Sequence, residues 1–121
     1  MTPYSAGMSL STSTIVVADD AVISLSGEVD MSTLPLLHDA LSKALAHHPG
    51  RMIVIDLDGV SLLEDIGLGI LLGAAGSARQ TGADLVVICN NMRLRERLDR
   101  TGFSRAIEVL DRRRENDHDV G

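Results

Sequence analysis

Two short apolar runs limit the possible folds of this chain more than any other feature. Met52-Ile53-Val54-Ile55-Asp56-Leu57 and Leu85-Val86-Val87-Ile88-Cys89 are near-continuous rather than alternating. That pattern suits parallel strands covered on both faces. Parallel neighbours must be joined by a crossover, usually a helix. Between the runs stands Ile66-Gly67-Leu68-Gly69-Ile70-Leu71-Leu72-Gly73-Ala74-Ala75-Gly76, which reads as that helix, with Gly82 ending it. Its glycines cost about 1 kcal/mol each relative to alanine. Close packing against the sheet is expected to offset that cost.

The rest of the chain extends the same pattern. Thr14-Ile15-Val16-Val17-Ala18 and Ala21-Val22-Ile23-Ser24-Leu25-Ser26-Gly27 flank Asp19-Asp20 and read as a hairpin. Ser32 or Thr33 is placed to cap a helix that has Pro35 in its first turn. Leu34, Leu37, Leu41, Ala44 and Leu45 give that helix an apolar stripe, and His47-His48-Pro49-Gly50 ends it. Asp58-Gly59 is expected to form a turn. Asn90-Asn91 can cap a helix carrying Met92, Leu94 and Leu98, with Arg93, Arg95, Glu96 and Arg97 facing out. Gly102 ends it, and Ala106–Leu110 reads as a last strand. The expected fold is α/β: a single domain over residues 13–111 with a mixed, mainly parallel sheet and helices packed on it, in the order β-β-α-β-α-β-α-β. Residues 1–12 read as an arm and 112–121 as a charged tail. Right-handed crossovers make the strands that flank each helix parallel.

Composition excludes several functions. The 17 acids outnumber the 11 bases, for a net charge of −6, whereas a nucleic-acid grip needs clustered Lys and Arg. Aromatics are 2% of the chain, too few for base-stacking platforms. Cys89 is the one cysteine, so there is no internal disulfide or cysteine-rich zinc site, and a reducing, cytoplasmic setting is expected. No apolar run approaches membrane-span length. His47 and His48 are adjacent, a poor ligand spacing, and no metal or cofactor is expected.

The layout gathers carboxylates. Parallel strands ending near Gly27 and Leu57 place Glu28, Asp30, Asp56, Asp58, Glu64 and Asp65 on one edge. Binding edges of open α/β sheets lie outside the carboxyl ends of strands, so this rim suits a basic or mixed protein partner. Three of these acids also have a structural explanation. Asp30 and Asp65 stand where carboxylates cap helices, and Asp58 precedes a glycine as in many turns.

Three stretches carry a resemblance. Leu25-Ser26-Gly27-Glu28-Val29-Asp30 resembles the L-S-G-E-L-D element of STAS domains, the anti-sigma factor antagonist family. Ile55–Gly69 resembles its second signature, D-L-x-x-V-x-F-x-D-S-S-G-L-G. Gly82–Cys89 followed by Leu98–Phe103 matches in order and spacing. The resemblance spans roughly residues 10–110 and implies a STAS-type fold. It also implies a regulator, not an enzyme, that binds an anti-sigma factor, often a serine kinase. That kinase phosphorylates the first Ser of D-S-S-G and so ends binding. The carried-over partner-binding residues are Glu28, Asp30, Ser32, Glu64, Asp65, Ile66, Gly67 and Leu68.

The chain departs from the family at the phosphoacceptor. Aligned on Gly67, the family Asp falls on Glu64, the acceptor Ser on Asp65 and the second Ser on Ile66. None of these side chains has a hydroxyl, so a serine phosphoswitch at this place is chemically impossible. Asp65 is either a plain helix cap or a partial imitation of phosphoserine, with one negative charge against about 1.5 to 2. The expectation is an antagonist without the usual switch, or one regulated by other means, with a STAS module in another signalling complex as an alternative.

Two other readings are weaker. A receiver-like phospho-Asp domain would use Asp19-Asp20 with Asp56 or Asp58, but a strand-like run follows Asp20 and the only Lys is Lys43. A dinucleotide loop at Gly67–Gly73 has the wrong glycine spacing, and the two carboxylates before it would repel a pyrophosphate.

Overall fold

A computed structural model describes residues 9–111. The basic run Arg112–Arg114 and the rest of the expected tail, like residues 1–8, lie outside the described residues.

β1 (Leu10–Val17) and β2 (Asp20–Val29) pair antiparallel as a hairpin. β1 begins at Leu10, within the stretch expected to be an arm. A strand, not a helix, follows Asp19, so the receiver layout is not adopted. α1 (Leu34–His47) leads to β3 (Ile53–Leu63), α2 (Asp65–Gln80), β4 (Leu85–Ile88) and α3 (Met92–Arg100). A short α4 (Phe103–Ala106) precedes β5 (Glu108–Leu110). The expected last strand is therefore shorter by Ala106 and Ile107. Gly102, at φ +85, turns the chain between α3 and α4, and Phe103 folds back into the core.

The sheet order is β1-β2-β3-β4-β5, with every pair after the hairpin parallel. The strands are laid down in one direction, so crossovers of one hand carry every helix to one face. The main core confirms this. Ala21, Ile23 and Leu25 of β2, Ile53, Ile55 and Leu57 of β3, and Leu85 and Val87 of β4 pack with Leu37, Leu41, Leu71 and Ala75 of the helices. The opposite face holds a separate small cluster of Val54, Val86 and Ile88, edged by Val22, Met52 and Leu110, that draws only on the sheet and its flank. The apolar runs are thus apolar on both faces, but the helices cover one.

Two local expectations change. Asp58-Gly59 is not a turn, because β3 continues to Leu63. The pairing slips there instead: Ser24 faces Asp56 while Ser26 faces Gly59, so β3 carries an extra residue at a bulge. A Cβ on Gly59 would sit 2.8 Å from the Leu25 carbonyl oxygen, which explains the glycine. Of the α2 glycines, only Gly67 is packed tightly; Gly69, Gly73 and Gly76 have open space where a Cβ would be. Close helix–sheet packing therefore accounts for one of them.

The extension of β3 matters for function. β4 ends opposite Asp56, but β2 and β3 run on together to Val29 and Leu63. β1 accompanies β2 as far as Gly27, and the last residues of β2 and β3 carry the loops after both strands to one tip.

Candidate functional site

At the tip the two loops are joined directly. The Glu64 amide donates to the Val29 carbonyl at 2.9 Å. Gly67 lies against Val29, where a Cβ would come within 2.6 Å of Val29 Cγ1 and 3.0 Å of Leu63 Cδ1. Any larger residue at 67 would push the start of α2 away from β2. The expected juxtaposition of Glu28–Ser32 with Glu64–Gly69 is therefore realised.

The first loop is a compact turn organised by Asp30. Its Oδ1 accepts from the Ser32 hydroxyl at 2.6 Å, the Ser32 amide at 2.9 Å and the Thr33 amide at 3.2 Å. Thr33 stands at the N-cap of α1, as expected, but its side chain makes no cap hydrogen bond; it turns inward, is buried, and donates its hydroxyl to the Glu28 carbonyl at 2.8 Å. Asp30 thus covers the amides leading into α1, as expected of a carboxylate before a helix. The Ser32 hydroxyl above all, helped by the two amides, holds the Asp30 carboxyl below the ordinary aspartate range. The contribution to stability is complete above that range and is lost as pH falls through the lowered native value. Followed by NMR, the Ser32 and Thr33 amides should shift with a midpoint below the ordinary aspartate value; a midpoint at or above it contradicts this reading.

The second loop differs from expectation. Glu64, not Asp65, is the N-cap of α2, and its side chain makes no cap hydrogen bond. Asp65 is the first helical residue, where its charge meets the positive end of the helix. Its carboxylate pairs with Arg97 Nη2, while Arg97 Nη1 donates to the Leu63 carbonyl. Arg97 therefore does not face free solvent as expected. α3 passes beside the end of β3, and the guanidinium spans the loop; Arg95 likewise turns in, to the Cys89 carbonyl at 2.9 Å. The spacing Leu94, Arg97, Leu98 was the available signal, since it puts Arg97 at the border of the apolar stripe.

Glu64, Asp65 and Ile66 are exposed, as is Ser32, and Glu28 and Asp30 are half-buried. Gly67 and Leu68 are buried, so they support the tip from within rather than present side chains to a partner. The six-acid rim does not form one cluster. Asp58 accepts from the Asn90 amide at 2.9 Å and from Asn90 Nδ2 at 2.7 Å, and Asp56 accepts from the Asp58 amide. With β3 running on, Asp58 stands roughly 16 Å from Leu63 along the strand. Asp58 fastens β3 to the loop after β4 while Asp56 braces the bulge, leaving Glu28, Asp30, Glu64 and Asp65 at the tip. Asn91 caps α3, accepting from the Leu94 amide at 3.1 Å.

Other candidates are inert or structural. Cys89 is fully buried, and burial pushes its thiol up, away from reactivity. The Ser61 hydroxyl donates to the Gly27 carbonyl at 3.2 Å. Among the described residues, no group of three or more His, Cys, Asp or Glu could hold a metal ion, and no helix is long and apolar enough to cross a membrane.

Comparison with known proteins places this arrangement in a family. The family model described as "Mlab, STAS domain" matches residues 16–111. The anti-sigma-B factor antagonist of Listeria monocytogenes is 35% identical over 91 residues, covering 75% of this chain and 79% of that protein. The chain belongs to the STAS-domain family of anti-sigma factor antagonists. The anti-sigma-F factor antagonist RsfB of Mycobacterium tuberculosis is 37% identical over 71 residues, covering 56% of this STAS domain protein and 57% of RsfB. The crystal structure of an anti-sigma factor antagonist from Mycobacterium paratuberculosis superimposes with a TM-score of 0.76 at 28% identity, covering 84% of this chain and 85% of that one. The phosphorylated form of Bacillus SpoIIAA shares the STAS fold at 17% identity, with a TM-score of 0.63 over 89% of this chain and 98% of that one.

Proposed function

We propose that this protein is a non-enzymatic antagonist that captures an anti-sigma factor of the serine-kinase type on the β2–β3 tip, in the cytoplasm, without a phosphoserine switch. The contact surface is Glu28, Asp30, Ser32, Glu64, Asp65 and Ile66, with Gly67 and Leu68 fixing its shape from beneath. One observation carries the reading: the two signature stretches meet at a single tip through the Glu64 amide and the Val29 carbonyl. The exposed Ile66, 43% accessible, with Glu28 and Glu64 around it and Asp65 paired to Arg97 within the chain, suits a partner surface with an apolar centre and a mixed rim. The relatives named above support the class of partner, since they are antagonists of anti-sigma factors.

The absence of a hydroxyl at residues 64–66 supports the missing switch. A cognate anti-sigma kinase with ATP should leave no phosphate on the wild-type peptide covering these residues. Asp65→Ser should take up phosphate there, as mapped by mass spectrometry. Phosphate between residues 64 and 66 of the wild type contradicts the reading.

A further inference from the structure

The geometry points to Arg97 as an in-chain counter-ion that keeps the tip in the charge state of an unmodified hydroxyl, an inference resting on the docking reading above. The Arg97 side chain is only 27% exposed, whereas the Asp65 side chain is 82% exposed. Arg97 is held at two points of a rigid fork: one nitrogen on the Leu63 carbonyl and one on the Asp65 carboxylate. The carbonyl bond fixes the cation whether or not a partner is present. On the other side of the same loop the Glu64 amide is fastened to Val29. Three consecutive residues, Leu63, Glu64 and Asp65, are thus anchored from α3 and from β2.

The charge balance follows. A serine at 65 would bring no charge, and a phosphoserine about −1.5 to −2. Asp65 brings −1, and Arg97 returns +1 at contact distance, so the pair sums to zero as a serine does. Asp30 is occupied by its own turn through Ser32 and Thr33. A partner shaped for an unmodified loop therefore meets a neutral pair at residue 65, not a phosphate-like anion. In this reading Arg97 is a positioning residue that makes an aspartate tolerable at the acceptor position.

A double-mutant cycle tests this. The cognate anti-sigma factor is titrated calorimetrically with wild type, Asp65→Ser, Arg97→Gln and the double variant. Arg97→Gln should weaken binding by about tenfold or more, because it exposes an unbalanced anion at the interface. Whatever Asp65→Ser itself does to affinity, adding Arg97→Gln to it should change binding by less than about threefold. Equal losses from Arg97→Gln in both backgrounds overturn the proposal, since Arg97 would then act on the backbone or on the partner directly. No loss in either background also overturns it. A readout without any partner is the NMR signal of the Arg97 guanidinium. Slow rotation of that group in the wild type, faster in Asp65→Ser, is expected; free rotation in the wild type overturns the pair. A slowly rotating guanidinium in a protein that binds no anti-sigma factor overturns the docking reading, and with it the role of Arg97, while leaving the ion pair itself intact.

Discussion

Gly27→Ala is expected to destabilise the domain by on the order of 2–5 kcal/mol, read as a fall in the urea midpoint. Gly27 has φ +114, a region that side-chain-bearing residues rarely adopt, and a Cβ there would lie 2.3 Å from the Ser9 carbonyl oxygen. That oxygen accepts from the Glu28 amide at 3.3 Å, so relief by moving it would open the start of the β1–β2 pairing. The loss is a large fraction of the roughly 5–15 kcal/mol that holds a domain together. Gly50 supplies the control. Its φ is +77, but a Cβ on Gly50 would meet nothing within 4 Å, so Gly50→Ala should cost only about 1–2 kcal/mol. A Gly27→Ala variant no weaker than Gly50→Ala would show that the close approach to Ser9 is not rigid. The glycine of the first signature is therefore explained by chain geometry, and the acids after it are left to explain function.

The largest functional effect is expected from Asp65→Lys, which should reduce anti-sigma factor binding by about a hundredfold or more. The substitution removes the carboxylate that Arg97 holds and sets a second cation beside that guanidinium. It also puts positive charge at the positive end of α2. Folding should suffer little, by less than about 1 kcal/mol, because the Asp65 side chain is 82% exposed. Near-wild-type thermal unfolding with lost binding is the expected pair of results. Unchanged affinity would place the interface elsewhere on the molecule.

Much of the fold was legible because its signals are local. The alternation of Ala21, Ile23 and Leu25, the Leu37–Leu41–Ala44 stripe and the run Leu85–Ile88 each follow from one repeat period, and each appears in the core. The meeting of the two signature stretches was legible because parallel strands share a direction. Other features were not. The bulge at Asp58-Gly59 looks like a turn in sequence, since both use glycine for a close backbone approach. Only pairing with β2 distinguishes them. A bulge in place of a turn also sets Asp56 and Asp58 back from the tip, with Asp58 fastened to Asn90. Arg97 escaped notice because its partners lie 34 and 32 residues away along the chain. A long arginine stem also lets a residue at the edge of a stripe reach inward. The family signature pointed to position 65, but the cation answering it stands just before the third matching stretch, outside every signature.

The most direct test of a docking tip without a phosphoserine switch is the affinity of the wild-type protein for its cognate anti-sigma kinase, measured with and without hydrolysable ATP. Equal affinity in both conditions, with the Asp65→Ser variant losing binding once ATP is added, is the predicted result. ATP-dependent release of the wild type would contradict it.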